Sequence, residues 1–481
     1  MPGKTPLFLL LDQGGHASRA TVIDANGRQQ ASAEARIATR HPAPDRVEHD
    51  PEALLNSIRR TCKAVARQLG KRCMHIQCAG LATQRSTIVC WDRQTGKPLS
   101  PVISWQDRRA AQQLARLSSR QKRVHTLSGL VLSPHYGASK IAWCLEHLKP
   151  VQRALARGRL ASGPLASYLL GNLLAEKPFL ADPVNASRTL LWDYRQREWS
   201  PELLALFQVP ASILPRCVPN RFAYGHIILG KYLIPMKVVT GDQPAALFAA
   251  GKPDPASIYI NLGTGAFLQR PWGNTPPRVA GLLSSVLWQT RKDTAYVLEG
   301  TVNGAGSALE WLRESAGISQ KNFLAQIPGW LGKNGQAPLF LNGVSGLGSP
   351  FWISDFSSRF IGEGDIRQKA AAVAESMVFL CCLNLERMRS SKIEPHRMLV
   401  SGGIARWNVI CQWLADLSGL PVYRPHKHEA TTLGLGWLLG VRTCKPVRYR
   451  LFRPNKNQVI RQRYAAWSFE MLNAVKKMSG Y

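Results

Sequence analysis

Two rhythms of apolar and polar residues run along this chain. Phe8–Leu11 is a continuous apolar run, as in a strand buried on both faces, and Ala20–Ile23 is a partner run. Between them lies Asp12-Gln13-Gly14-Gly15, an acid followed by bare backbone, and Asn26-Gly27 supplies a second turn. From Pro51 to Leu69 the rhythm changes: Leu54, Leu55, Ile58, Cys62, Val65 and Leu69 recur at helical spacing. Short strands are predicted at Ile76–Leu81, Thr87–Trp91 and Val102–Trp105, with Gln94–Pro98 as a turn. Strands alternating with helices predict α/β layers.

Mid-chain, Ser257–Arg270 repeats the opening form: apolar strand, Gly263-Thr264-Gly265, apolar strand. Gly251–Ser257 before it reads as a linker. The chain therefore reads as two related halves, each opening on a hairpin with glycines at its tip. Val297–Glu314 predicts a helix with glycine interruptions, and Ile366–Arg389 a long helix. Met398–Gly419 reads as strand, double-glycine turn and amphipathic helix, and Thr431–Val441 as a small-residue helix packed closely on a neighbour.

The length of 481 residues, 45% of them hydrophobic, fits two domains of ordinary size. Lys and Arg number 62 against 30 Asp and Glu, a net charge of +32. Such a field attracts anions in general. The charge is spread from Arg59–Arg60 to Lys476–Lys477 rather than gathered in a stripe, so a generally basic surface is expected, with no specific nucleic-acid partner. Ten cysteines occur with no CxxC pair, mostly in apolar segments, as reduced buried thiols do. The start lacks a signal-peptide pattern, and Ile227–Leu233 and Leu433–Val441 are too short to span a bilayer. A soluble, cytoplasmic protein is expected, without membrane insertion.

Several short stretches carry candidate chemistry, each with a plainer alternative. Asp12 could hold a Mg²⁺–nucleotide complex while Gly14 and Gly15 bring backbone N–H groups to phosphates; it could equally close a β-turn. Gly263-Thr264-Gly265 could be a second phosphate clamp or a hairpin turn. Asp242, at the end of the apolar Val238–Thr240, suits a general base and also a helix N-cap. Ser401-Gly402-Gly403 permits close approach of backbone to a nucleotide, or of a helix to a strand. His426 and His428 are spaced for one strand face but have no third ligand nearby, and neither HExxH nor a P-loop occurs.

In sequence order, the hairpin Asp12-Gln13-Gly14 is followed by GLATQRSTIVCWDRQTGKPLSPVISWQDRR (Gly80–Arg109), DPVNASRTLLWD (Asp182–Asp193) and GDQPAALF (Gly241–Phe248). NLGTGAF (Asn261–Phe267), LEGTVNGAGSALEWL (Leu298–Leu312), GVSGLGSPFW (Gly343–Trp352), SGG and TLGLG (Thr432–Gly436) complete the series. Together these resemble the FGGY carbohydrate kinases, the glycerol kinases most closely, over nearly the whole chain. The resemblance implies an α/β fold of the actin-like ATPase (ribonuclease H-like) kind. Two duplicated α/β domains would flank a nucleotide cleft: 1–250 with the substrate and phosphate site, and 251–481 binding the nucleotide. It implies an ATP- and Mg²⁺-dependent kinase acting on a small polyol or sugar, assembled as a homodimer or homotetramer.

Carried onto this chain, the resemblance makes Asp242 the catalytic base and Asp12 the metal-associated acid. Arg85, Trp105 and Gln243 fall at substrate positions, as do Ser86 and His135, and Asp242 itself faces the substrate. Gly14, Gly15, Ser18 and Arg19 belong to the first phosphate hairpin; Gly263, Thr264 and Gly306 to the second phosphate loop; Gly403 and Asn408 to the adenosine side. Six positions, at four places, depart from the glycerol kinase pattern. Gly15-His16-Ala17 stand where Thr-Thr-Ser is usual, Ser86 where an acid is usual, His135 where a tyrosine is usual, and Ser401 where an aspartate is usual. A second expectation therefore stands beside the kinase: a weakly active or inactive relative that acts as a regulatory or interaction protein.

Overall fold

The opening hairpin is β1 (Leu7–Gln13) paired with β2 (Ala17–Asp24), which pairs in turn with β3 (Gln29–Arg36). Helix α1 runs over Pro51–Leu69, the span its apolar spacing predicts. Asp50 caps it by accepting the Ala53 N–H at 2.9 Å, and Gly70 ends it at φ 56°. Its apolar face covers β2 and β3. Strand β4 (Ile76–Thr83) then lies parallel to β1, and β6 (Tyr232–Gly241) parallel to β4, with β5 (Arg221–Leu229) as an antiparallel edge.

The second half repeats this plan. Strands β7 (Ser257–Leu262), β8 (Ala266–Gly273) and β10 (Thr294–Val302) form an antiparallel meander, with β9 (Leu283–Gln289) added outside β10. Strands β11 (Arg397–Ser401) and β12 (Val422–Pro425) continue parallel to β7, and β13 (Tyr449–Phe452) is an antiparallel edge. The orders β3-β2-β1-β4-β6 and β10-β8-β7-β11-β12 therefore match strand for strand and sense for sense. This is the duplicated α/β architecture expected from the two glycine hairpins.

Within the first half, residues 40–49, 88–103 and 160–164 form a separate five-stranded sheet. Helix α2 (Gly137–His147) packs on that sheet. The two halves meet through α3 (Asp242–Leu247) and α7 (Ala430–Leu439). A Cβ at Gly434 would overlap the Ala245 carbonyl oxygen, so only glycine allows the two helices to touch backbone to backbone. Helix α7 also lies on β1 and β4, where Leu435 packs against Gly80.

The structure, a computed structural model, describes residues 5–332, 337–389, 393–426, 430–442 and 447–479, without the side chains of 320–322, 324 and 479; His428 and Cys444 fall outside it. One expectation is corrected. Val297–Glu314 is not a single helix: 297–302 belong to β10, and α4 starts at Gly306 and ends at Ser315. Val297, Leu298 and Val302 are fully buried strand positions between β8 and β9, so sheet pairing overrides the helical spacing. The long helix α5 spans Ile366–Arg389 as predicted, and α6 spans Asn408–Ser418. Among the described residues no helix is long and apolar enough to cross a membrane.

Candidate active site

Strands β1, β4 and β6 run side by side in parallel, and their register sets the site. Asp12 lies opposite Ala82, Gln13 opposite Thr83, and Thr83 opposite Gly241. The chain leaving these three ends carries Asp12 to Gly15, Gln84 to Ser86, and Asp242 with Gln243. Reacting groups thus gather at the carboxyl edge of a sheet, on rigid supports.

Among the described residues Asp12 has one ion-pair partner within 4 Å, the half-exposed Arg19 at 3.9 Å. Burial, and then the negative charge of Asp242, push its pKa up to about 7. Two carboxyl groups share an edge with too little positive charge, an environment that a cation would relieve. The described residues contain no cluster of three or more His, Cys, Asp or Glu able to hold a metal. A divalent ion here would therefore draw most of its ligands from phosphate oxygens and water, the habit of Mg²⁺ in kinases.

Asp242 is the first residue of α3, with Gly241 in the capping position. This corrects the N-cap expectation, although Asp242 Oδ1 does accept the Gln243 N–H at 2.7 Å. Burial raises its pKa and the positive charge of Arg85 opposes the rise.

Arg85 is held from the opposite half of the molecule. Its two terminal nitrogens donate to Glu299 Oε1 and Oε2, both at 3.0 Å, and one also donates to Gln243 Oε1 at 2.6 Å. Glu299, on β10, receives a third bond from Arg188 at 3.3 Å, and Arg188 also donates to Ser285 Oγ at 3.1 Å. The two guanidinium groups, and a bond from Ser285, hold the Glu299 carboxyl at about 2 despite its burial. The Arg85 methylenes lie across Gly241, where a Cβ would come within 2.6 Å of them.

The remaining substrate positions cluster beside Arg85. Ser86 is buried and left-handed, at φ 61°. His135 Nδ1 lies 2.9 Å from the Trp105 carbonyl, so that nitrogen carries the proton. Burial lowers the His135 pKa to about 4, which leaves the ring neutral and its Nε2 a hydrogen-bond acceptor. The Trp105 ring meets Phe267, from β8 of the other half, edge to face at 6.1 Å.

On the second sheet, the ends of β7 and β11 carry the other glycines. The Gly263 N–H bonds the Gly265 carbonyl at 2.9 Å, and the Gly306 N–H bonds the Gly263 carbonyl at 3.0 Å, so the start of α4 braces the turn. Thr264 is exposed at the tip, and Gly403 is exposed with open space where a Cβ would point. At Gly402 a Cβ would overlap the Leu262 carbonyl oxygen, so the close contact there is between the turn after β11 and the end of β7, not between a helix and a strand. Asn408 is exposed at the start of α6, and its Oδ1 accepts from Arg424 at 3.1 Å.

One sequence-derived position is turned away. Ser18 is fully buried and its hydroxyl shares a 2.7 Å bond with Ser57 on α1, because alternation along β2 places it on the helix-covered face. Its side chain is not offered to a phosphate. Sequence reasoning also missed Glu299, Arg188, Phe267 and Lys140. Arg188 and Glu299 lie within NASRTLL and LEGTVNG, where a charge inside an apolar run was the available signal.

Residues 7–249 match the model of the FGGY family of carbohydrate kinases, N-terminal domain, and residues 258–441 match that of its C-terminal domain. The chain belongs to the FGGY family of carbohydrate kinases. It is 36% identical to the glycerol kinase of Trichlorobacter lovleyi over 90% of this chain and 89% of that one. It is 34% identical to the glycerol kinase of Rhodospirillum centenum over 91% and 90%. Its fold matches the crystal structure of Plasmodium falciparum glycerol kinase with ADP at TM-score 0.87 and 22% identity, covering 98% of each chain. It matches xylulose kinase from Rhodospirillum rubrum at 0.84 and 18%, covering 97% and 98%.

Proposed function

We infer that this chain transfers the γ-phosphoryl group of ATP to a hydroxyl of glycerol or a closely similar small polyol, with Asp242 as general base. The observation that carries the reading is the single edge on which Asp12, Arg85, Asp242 and Gln243 meet, joined to the second half by the Arg85–Glu299 pair. The similarity to curated glycerol kinases supports the substrate class. The arrangement equally supports the division into a substrate half, 1–250, and a nucleotide half, 251–481.

The polyol lies against Trp105, Ser86 and His135, and Arg85 and Gln243 orient it. Neutral His135 accepts a hydroxyl proton in a hydrogen bond at Nε2. Asp242 takes the proton of the attacking hydroxyl as its oxygen bonds to the γ-phosphorus and the bond to the leaving ADP breaks. Burial favours that role, because it raises the proton affinity of the Asp242 carboxylate. Backbone N–H groups of Gly15, Thr264 and Gly265 face the phosphates, while those of Gly14 and Gly263 close their own hairpins on the Ala17 and Gly265 carbonyls. Mg²⁺, held at Asp12 and by the phosphates, would supply neutralising charge.

The test is ADP release from ATP·Mg²⁺ with a panel of polyols and sugars, beside Asp242→Asn. Polyol-dependent release from the wild type that falls by at least about 10²-fold in the Asn variant is the expected result, in the range of a lost general base. Equal release from the two proteins, or none with any acceptor, refutes the reading and leaves the inactive relative.

A further inference from the structure

Lys140 is fully buried on α2, and its ammonium serves three separate loops. It donates to the Ser86 carbonyl at 3.1 Å, the Ser104 carbonyl at 2.7 Å and the His135 carbonyl at 2.8 Å. An ammonium has three donors, so its capacity is filled by main-chain oxygens alone. Each of those oxygens sits within or directly beside a substrate position: Arg85-Ser86, Trp105 and His135.

We propose that Lys140 is the positioning residue of the acceptor pocket, tying its three walls to one point so that the polyol meets them in fixed register. The proposal rests on the acceptor reading above.

Three observations support a role beyond filling the core. First, among the described residues no carboxylate bonds the ammonium. The charged groups that act on it, Asp107 and Arg109, are paired with each other at 2.7 Å, with Arg109 also bonding Glu48 at 2.6 Å and Asp107 accepting the Val47 N–H at 2.7 Å. Burial without a counter-ion lowers the Lys140 pKa to about 7, an unfavourable setting that an apolar side chain of equal length would avoid. Second, Ser86 holds a left-handed backbone that a non-glycine residue adopts only at a cost, and a bond to its carbonyl fixes that conformation. Third, the tied segments belong to different elements: the loop after β4, the turn before Gln106, and the approach to α2. Neither helix propensity nor sheet pairing fixes their mutual distance; the Thr87–Trp105 and His135–Trp105 bonds each tie two of them, and Lys140 ties all three to one atom.

The experiment compares wild type with Lys140→Met and Lys140→Gln in steady-state kinetics with the best acceptor of the panel, varying acceptor and ATP in turn. The expected result is an acceptor KM raised at least about tenfold in Lys140→Met, with the ATP KM within twofold and a smaller acceptor effect in Lys140→Gln, which keeps a donor. Nucleotide-induced thermal stabilisation, measured on the same samples, is expected to persist in both variants. An unchanged acceptor KM overturns the proposal while the wild-type activity leaves the kinase reading standing. Equal rises in both KM values, or loss of the nucleotide-induced stabilisation in both variants, also overturn it, because Lys140 is then a general folding residue.

Discussion

Replacing Glu299 with Gln keeps the volume of the side chain and removes the carboxylate charge that Arg85 and Arg188 both bond. The magnitude can be reached by two routes. The carboxyl sits at about 2 against an ordinary 4.5, a difference worth about 3 kcal/mol at 1.36 kcal/mol per unit. Breaking a buried pair by removing one partner costs about 3–5 kcal/mol, because the other charge is stranded. The Glu299 side chain is only 4% exposed, so solvent screening removes little of this. Urea unfolding at pH 7 is therefore expected to show Glu299→Gln less stable by about 3 kcal/mol. The pKa of Glu299 is depressed in the fold, so its contribution is complete above pH 4.5 and disappears as pH falls through about 2. The two proteins should converge in stability across that window. Replacing Arg85 and Arg188 with Met in the Gln variant should recover part of the loss, since neither guanidinium is then left stranded. A cost under about 1 kcal/mol, the size of a surface ion pair, or one that stays constant down to pH 2, refutes the reasoning.

Asp12 has the opposite sign. Its pKa of about 7 in the fold lies above the ordinary 3.8, so between those values the folded state keeps a proton that the unfolded state gives up. Stability of the nucleotide-free protein should fall as pH rises through that window, and Asp12→Asn should flatten the fall; parallel pH profiles for the two would count against the assignment. The altered phosphate hairpin is a second test. Gly15 and the exposed His16 have room for larger or branched side chains, the nearest non-local atom to a Gly15 Cβ being Gln84 Oε1 at 3.9 Å. Restoring Thr, Thr and Ser at 15–17 should lower the KM for ATP about tenfold through added bonds to charged phosphate, with the acceptor KM unchanged; an unchanged ATP KM would show that backbone N–H groups suffice.

What could be read in the sequence was local. The apolar spacing from Pro51 to Leu69 locates α1 to the residue, because its buried face is written within it. The order of short motifs identifies the glycine turns and the two acids, because each sits at the end of its own strand. The segment at 297–314 was misread because Gly300, Gly304 and Gly306 punctuate it like a broken helix, while its strand character depends on β8 and β9 as neighbours. Ser18 was misplaced because a motif gives residue order and not the face of the strand. Glu299 and Arg85 are 214 positions apart, and Lys140 acts on carbonyls, which leave no mark in side-chain patterns.

The contact of α3 with α7 bears on how such a molecule can be divided. Helix α7 is written at the far end of the gene, yet it lies on β1 and β4 and closes an apolar face formed by Leu10, Ile23, Ala82 and Val238. A gene fragment ending near residue 250 would lack that cover, and one starting there would carry a helix without its bed. The duplicated halves are thus no longer modules that could be traded between proteins. Each has given its neighbour a wall, and inheritance of the pair is all or none.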